Sequence, residues 1–308
     1  MSNISQYITS LFQWVCFGEF GILTTAPRYL FGILLPVMVF LELLEPVMTR
    51  PVLQNPTPRV CRFFYGFMGL GCTTLALAAA ENIPDRKSRR HISLFLIFLI
   101  PCSAKLTIIA AFTSLVTFRV FSVFFLLFLF FCLILYKAVN RICPLSSAMF
   151  MPPAAPEKEP LPRNLIRAFS NALRSVCKTA PPFLLGSILI SLAGFFGFFD
   201  VLLPFVSPLL ERFTCLPDKA AEILFLGMLK RDFAAAALLS ATEQGIFDAV
   251  QLTVLVLMML FSTPCFNSAV IFAKQQKLPV TAAVLMGSLL ISLIVGWLSS
   301  KILFIGLL

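Results

Sequence analysis

Two strings, LIPCSAK (Leu99 to Lys105) and STPCFNS (Ser262 to Ser268), place groups capable of chemistry inside stretches apolar enough to cross a bilayer. Each sets a Pro-Cys pair there and follows it within three residues with polar groups: Ser103 and Lys105 in the first, Asn267 and Ser268 in the second. Proline lacks an amide hydrogen and clashes with the preceding turn, so it releases carbonyl oxygens at membrane depth. Irregular backbone survives there only where it is buried in protein or lines a watery cavity, and broken helices of this kind build solute and ion sites. The two strings are therefore candidates for one pathway fed by two halves of the chain.

The elements that must position them are helices in a membrane. With 308 residues, 59% hydrophobic content, 34 Phe and only 12% charged residues, and a mean hydropathy of +0.95, the chain reads as an all-α integral membrane protein. The net charge of +10 is carried in clusters such as RKSRRH (Arg86 to His91) and the region Lys137 to Lys178. That placement suits cytoplasmic loops against anionic headgroups, with no nucleic-acid partner, because the aromatics are not interleaved with the basic residues. His91, the single histidine, is expected to make a solvated headgroup contact in its basic loop. Nine cysteines without a CxxC pair support neither a structural zinc site nor a disulfide framework. Most of them, Cys132 for example, are expected to fill space in lipid-facing helices. No basic segment followed by a cleavage site opens the chain, so no removable signal peptide is expected.

In order, residues 1–20 are expected to form an interfacial amphipathic helix, with Ile4, Ile8, Leu11, Phe12 and Val15 on one face. Residues 21–142 form a first membrane half, 143–163 a Pro-rich linker, 164–279 a second membrane half and 280–308 a C-terminal span. A first span covers Arg28 to Leu44, and Pro51, Pro56 and Pro58 are expected to forbid a helix in the cytoplasmic loop that follows. Phe63 to Ala80 is expected to be a re-entrant pair of half-helices meeting near Gly69 to Thr74; the alternative is an ordinary span with small residues for helix packing. Ile92 to Thr113 crosses through the first Pro-Cys break and Phe118 to Tyr136 returns. An amphipathic Asn164 to Lys178 leads to the span Pro182 to Phe205. The segment Ala221 to Ser240 carries Lys230, Arg231 and Asp232 in its middle, which is costly in lipid unless they pair or face water. Val250 to Ala273 passes the second break, and Val280 to Phe304 closes the chain. Both halves run from small residues (LALAAA, then AAAALL) through a turn to a Pro-Cys break, the order expected of two inverted repeats around a shared midplane.

GEFGILTT, LPVMVFLELLEP, GLGC, IPCSAK, MPPAAPEKEPLPR, LGMLKRDFAAAAL and TPCFNSAVIFAKQQ resemble, in that order, the membrane half of the ferrous iron transport protein B (FeoB) family. The resemblance covers about residues 18 to 300 and both of the family's gate segments. It implies a multi-pass Fe(II) importer of the bacterial cytoplasmic (inner) membrane, with gate cysteines at Cys72, Cys102 and Cys265 along the iron path. The sequence departs from the family at Thr73, Thr74 and Leu75, where the first gate usually continues Gly-Cys-Asn and soon Pro. It departs again at Lys105, usually Arg, and at Glu45-Pro46-Val47-Met48, usually Asp-Ser-Gly-Tyr. It also carries no Gly-x-x-x-x-Gly-Lys-Ser/Thr loop and no Asn-Lys-x-Asp string, and none of its glycines precedes a lysine. The chain is thus expected to be no GTPase and no enzyme, but the pore of a split or GTPase-less transporter.

Fe(II) accepts imidazole, thiolate and carboxylate, and geometry more than raw affinity sets selectivity among divalent metals. On this reading the metal-contacting residues are Cys72, Cys102, Cys265, Thr73 and Asn267, aided by Thr74, Ser103 and backbone carbonyls. Lys105 pairs with Asp232 or Glu81 as a gate. No cofactor is expected to be held permanently; Fe2+ is the transported substrate. The partners on this reading are membrane lipid, a separate GTPase subunit or a small accessory iron-transport protein, and further copies of the chain. Two other classes stay open: a gate-domain transporter of nucleosides or another organic solute, and a non-transporting membrane subunit.

Overall fold

A computed structural model describes residues 58–143, 165–174, 196–229, 231–262 and 264–306, with a few isolated positions before and between them. The helix expected over 1–20, the span Arg28 to Leu44 and the linker over 143–163 lie, all but a few positions, outside the described residues. The chain divides into two compact units, one of residues 1–64 and 149–202, the other of 65–148 and 203–308. In the first, residues 165–174 are helical, with Ala168 and Ala172 buried. The second contains the Pro-Cys breaks.

Helix α1 (Pro58–Gly71) starts on a proline expected to forbid it. A first-turn residue needs no intrahelical amide, and proline's fixed φ suits that position. Arg59 and Arg62 accordingly belong to a helix and not to a loop. After Gly71 a single extended residue, Cys72 (φ −149°, ψ 111°), redirects the chain into α2 (Thr73–Ala80). Phe63 to Ala80 is thus a broken helix whose joint falls within Gly69 to Thr74. Glycine lets α1 come close to the next break: a Cβ on Gly69 would stand 2.8 Å from Leu96 Cδ2 and 3.0 Å from Ile100 Cγ2.

α2 tightens as it ends. The Glu81, Asn82 and Ile83 amides donate to the carbonyls of Ala78, Ala79 and Ala80 at 3.1–3.2 Å. This three-residue spacing diverts the Glu81 amide from Leu77 O, its partner in a continued α-helix.

The basic string Arg86 to His91 is not a loop but the opening of α3 (Arg86–Leu99). Asp85 caps it, accepting from the Ser88 hydroxyl at 2.6 Å and from the Ser88 and Lys87 amides at 2.9 and 3.2 Å. These bonds, the Ser88 hydroxyl first, hold the Asp85 carboxyl below the usual carboxylate range. His91 is therefore carried inside the protein, 1% exposed, where its Nδ1 meets the Cys143 carbonyl oxygen. The headgroup contact expected of it does not occur.

α3 ends where the residue before Pro101 is pushed into extended conformation (Ile100 φ −94°, ψ 116°). Cys102 then caps α4 (Ser103–Leu115), and α5 (Phe118–Ile142) follows.

The second half repeats this order. After α6 (Phe198–Thr214) come α7 (Asp218–Leu229) and α8 (Arg231–Glu243), and a Cβ on Gly227 would stand 3.3 Å from Ala234 Cβ, so α8 doubles back on α7. Of the three charges expected in the middle of one lipid-length segment, Arg231 and Asp232 stand in the first turn of α8, where a helix start can carry them. Gly245 (φ 70°) closes α8, with its amide on Thr242 O at 2.9 Å and that of Ile246 on Ala241 O at 3.1 Å. α9 (Ala249–Phe261) is buried from Leu252 to its end. The second break, Ser262 to Cys265, leads to α10 (Phe266–Gln275) and then α11 (Leu278–Gly306).

Each half thus reads broken helix, turn, helix, Pro-Cys break, short helix, long helix. The short helices pack crosswise: α2 of the first half against α10 of the second, and α4 of the first against α8 of the second. Three stretches are long and apolar enough to cross a membrane, Arg86–Leu115, Phe118–Ile142 and Leu278–Phe304. Rings of Phe112, Phe124, Phe128, Phe131 and Phe261 join α4, α5 and α9 at centroid separations of 4.7–6.3 Å.

α9 and α11 meet along a seam of small residues. Ser292 Oγ donates to Met258 O at 2.8 Å, and a Cβ on Gly296 would lie 2.4 Å from Met258 Sδ and 3.0 Å from Thr214 Cγ2. Gly296→Ala should therefore destabilise the purified protein by about 1–3 kcal/mol, the usual scale of overpacking. Gly287→Ala, which meets nothing within 4 Å, should leave the thermal midpoint in detergent unchanged. Equal midpoints for the two variants would contradict the seam.

Candidate functional site

Three short helices begin on a cysteine: α2 on Cys72, α4 on Cys102 and α10 on Cys265. The local cause is the same twice, since Pro101 and Pro264 end the preceding helices and the chain restarts one residue later. At Cys72 the restart follows Gly71 with no proline. None of the three sulfurs makes a capping hydrogen bond, although Cys72 Sγ lies against the Thr74 and Leu75 amides. Helix starts carry amides without intrahelical partners and a partial positive charge. Gly69, three residues before Cys72, packs on Ile100, two residues before Cys102, and α2 packs on α10, which starts on Cys265. The three therefore share one neighbourhood, contributed by both halves.

A hydroxyl chain ties two of these starts together. Ser268 Oγ is 3.1 Å from Thr74 Oγ1 and 3.1 Å from Cys265 Sγ. Thr73, Thr74 and Ser268 are buried, at 9%, 5% and 1% exposure, and Asn267 is half-buried in the first turn of α10. The thiols do not close into a compact ligand sphere: among the described residues no three His, Cys, Asp or Glu side chains could together hold a metal ion. What the site offers is soft sulfur, hydroxyl oxygen and helix-start amides close together.

In the expected gate, Lys105 pairs with Asp232 or Glu81. Lys105 is in the first turn of α4 and 5% exposed. Glu81 is exposed in the turn after α2. The Asp232 side chain lies outside the described residues. Cys132, half-buried, packs against the hydrophobic core, so it is turned to the interior side of its helix.

Two residues of the site escaped the assigned set. Ser268 is three residues after Cys265, a spacing that puts both on one helix face. Gln275 Nε2 donates to Leu77 O at 2.6 Å across 198 residues, and nothing local in the sequence signals it.

Residues 176–278 match the family model described as Gate: Nucleoside recognition. No curated protein matches the chain. No solved structure matches it either. The protein is thus a membrane protein with a gate domain that takes in the second Pro-Cys break.

Ser268→Ala should leave Thr74 Oγ1 buried without a partner and lower stability by about 1–3 kcal/mol. Combining it with Thr74→Val should recover part of that loss, because both polar partners are then gone. A double-mutant cycle by thermal unfolding in detergent measures the coupling, and strict additivity would mean the hydrogen bond contributes nothing.

Proposed function

We propose that this protein forms the pore of a transporter that carries Fe(II), with the path running past Cys72, Cys102 and Cys265. The observation that carries the proposal is the meeting of three cysteine-started half-helices from both halves. Thiols suit a borderline divalent cation better than a hard one. The absence of a compact three-ligand group among the described residues is compatible with carriage, since a transported ion needs sites weak enough to leave. The repeated element order and crosswise packing support two inverted repeats, the construction that places a shared site near the midplane. A separate GTPase subunit is the energy-supplying partner in this proposal.

A nucleoside or similar organic solute is the second reading. It is favoured by the description of the matching family model and by the buried hydroxyls of Thr73, Thr74 and Ser268, which suit a neutral hydroxylated cargo.

Proteoliposomes with any required GTPase present separate the two. For Fe(II), Cys102→Ser and Cys265→Ser should each cut radiolabelled iron uptake by about tenfold or more, the scale on which disturbed metal sites lose affinity. Cys177→Ser, at an exposed position, should not. Uptake of a tritiated nucleoside that survives both cysteine changes but falls with Ser268→Ala would replace iron with the second reading.

A further inference from the structure

We infer that Gln275 is a positioning residue that latches the Cys72–Thr74 tip, capping α2 from the opposite half and holding it against α10. The inference rests on the proposed pathway in taking this tip as the gate.

α2 is eight residues long, too short to be stable without tertiary support. Its two ends are braced against the same helix. At the start Thr74 Oγ1 meets Ser268 Oγ at 3.1 Å. At the end, where the tightened turn takes the Glu81 amide to Ala78 O, the diverted Leu77 carbonyl accepts from Gln275 Nε2 at 2.6 Å. Both bonds join segments more than 190 residues apart. Neither can be made by α2 alone.

The other end of the Gln275 amide shows what the residue is for. Oε1 is buried and has no hydrogen-bond partner among the described residues. An unpaired buried acceptor is unfavourable, and an apolar side chain of the same length would fill the space without it. Packing alone therefore selects against glutamine here. The donor half, aimed at Leu77 O, is the part with a purpose. Since Nε2 already donates to a carbonyl, exchanging the amide's oxygen and nitrogen would set two acceptors face to face, so the orientation is fixed by chemistry.

Three substitutions separate donor from bulk. Gln275→Met keeps length and shape without a donor. Gln275→Glu presents only acceptors to the Leu77 carbonyl. Gln275→Lys restores a donor, with a charge favoured at the end of a helix.

The full-length protein in lipid vesicles is treated with N-ethylmaleimide, and modification of Cys72, Cys265 and Cys177 is followed over time by peptide mass spectrometry. A latch predicts that Gln275→Met and Gln275→Glu speed modification of Cys72 and Cys265 by about fivefold, the shift expected from losing one buried hydrogen bond in an opening equilibrium. Gln275→Lys should behave as the parent protein does. Cys177, exposed and in the other unit, should react equally in all four proteins. Unchanged Cys72 and Cys265 rates in the Met and Glu variants would overturn the latch. So would a Lys variant as reactive as they are, since that would make the position structural and indifferent to a donor. If the Glu variant does not reach the membrane, the Met and Lys pair gives the same decision. No cargo enters this assay, so a failure to carry iron and a failure of the latch are separate results.

Discussion

Backbone amides and carbonyls released in an apolar setting must find partners within the protein, and this requirement shapes the architecture around both Pro-Cys breaks. A helix that stops at Leu99 or Phe261 and restarts after a cysteine leaves polar backbone at both edges of the gap. One half cannot satisfy its own short helices. The answer is crosswise packing, in which α2 leans on α10 and α4 on α8. Hydrogen bonds at Thr74 and Leu77 supply what α2 lacks. The same geometry that repairs the backbone brings the cysteines into one neighbourhood, so stability and the candidate site have a common origin.

Electrostatics gives this neighbourhood a mixed character. Three helix starts and a buried Lys105 bias it toward positive potential, a bias that opposes a cation. Sulfur, carbonyl and hydroxyl groups supply the electron density to offset it. Cys132, half-buried on α5, packs with the core on the same side of that helix as Phe124 and Phe131.

Features governed by adjacent residues were legible in the sequence. Proline fixed both breaks to within a residue, because its effect on the preceding helix needs no distant partner. The long apolar spans followed from length and composition, and the joint at Cys72 from the glycines around it. Features decided by context were not. Pro58 starts a helix because it stands at a first turn, although the same residue one turn later would have ended it. Arg86 to His91 reads as a solvated run, yet the Asp85 cap winds it into α3 and turns His91 inward. Arg231 and Asp232 look like the middle of a span, yet they open α8, which doubles back on α7. Gln275 was invisible, because its role depends on a carbonyl nearly two hundred positions away.

That separation has a consequence for how the protein is made. During synthesis the first half enters the membrane well before α10 has left the ribosome, and at that stage Thr74 and Leu77 O have no counterpart from the second half. The nascent first half therefore presents an unpaired carbonyl and hydroxyl to the translocon or to an insertion chaperone. Water at that interface must serve until the chain is nearly complete. A chain that stops before Phe266 would lack both partners of α2, at Thr74 and at Leu77 O, and would leave that short helix unsupported at its two ends.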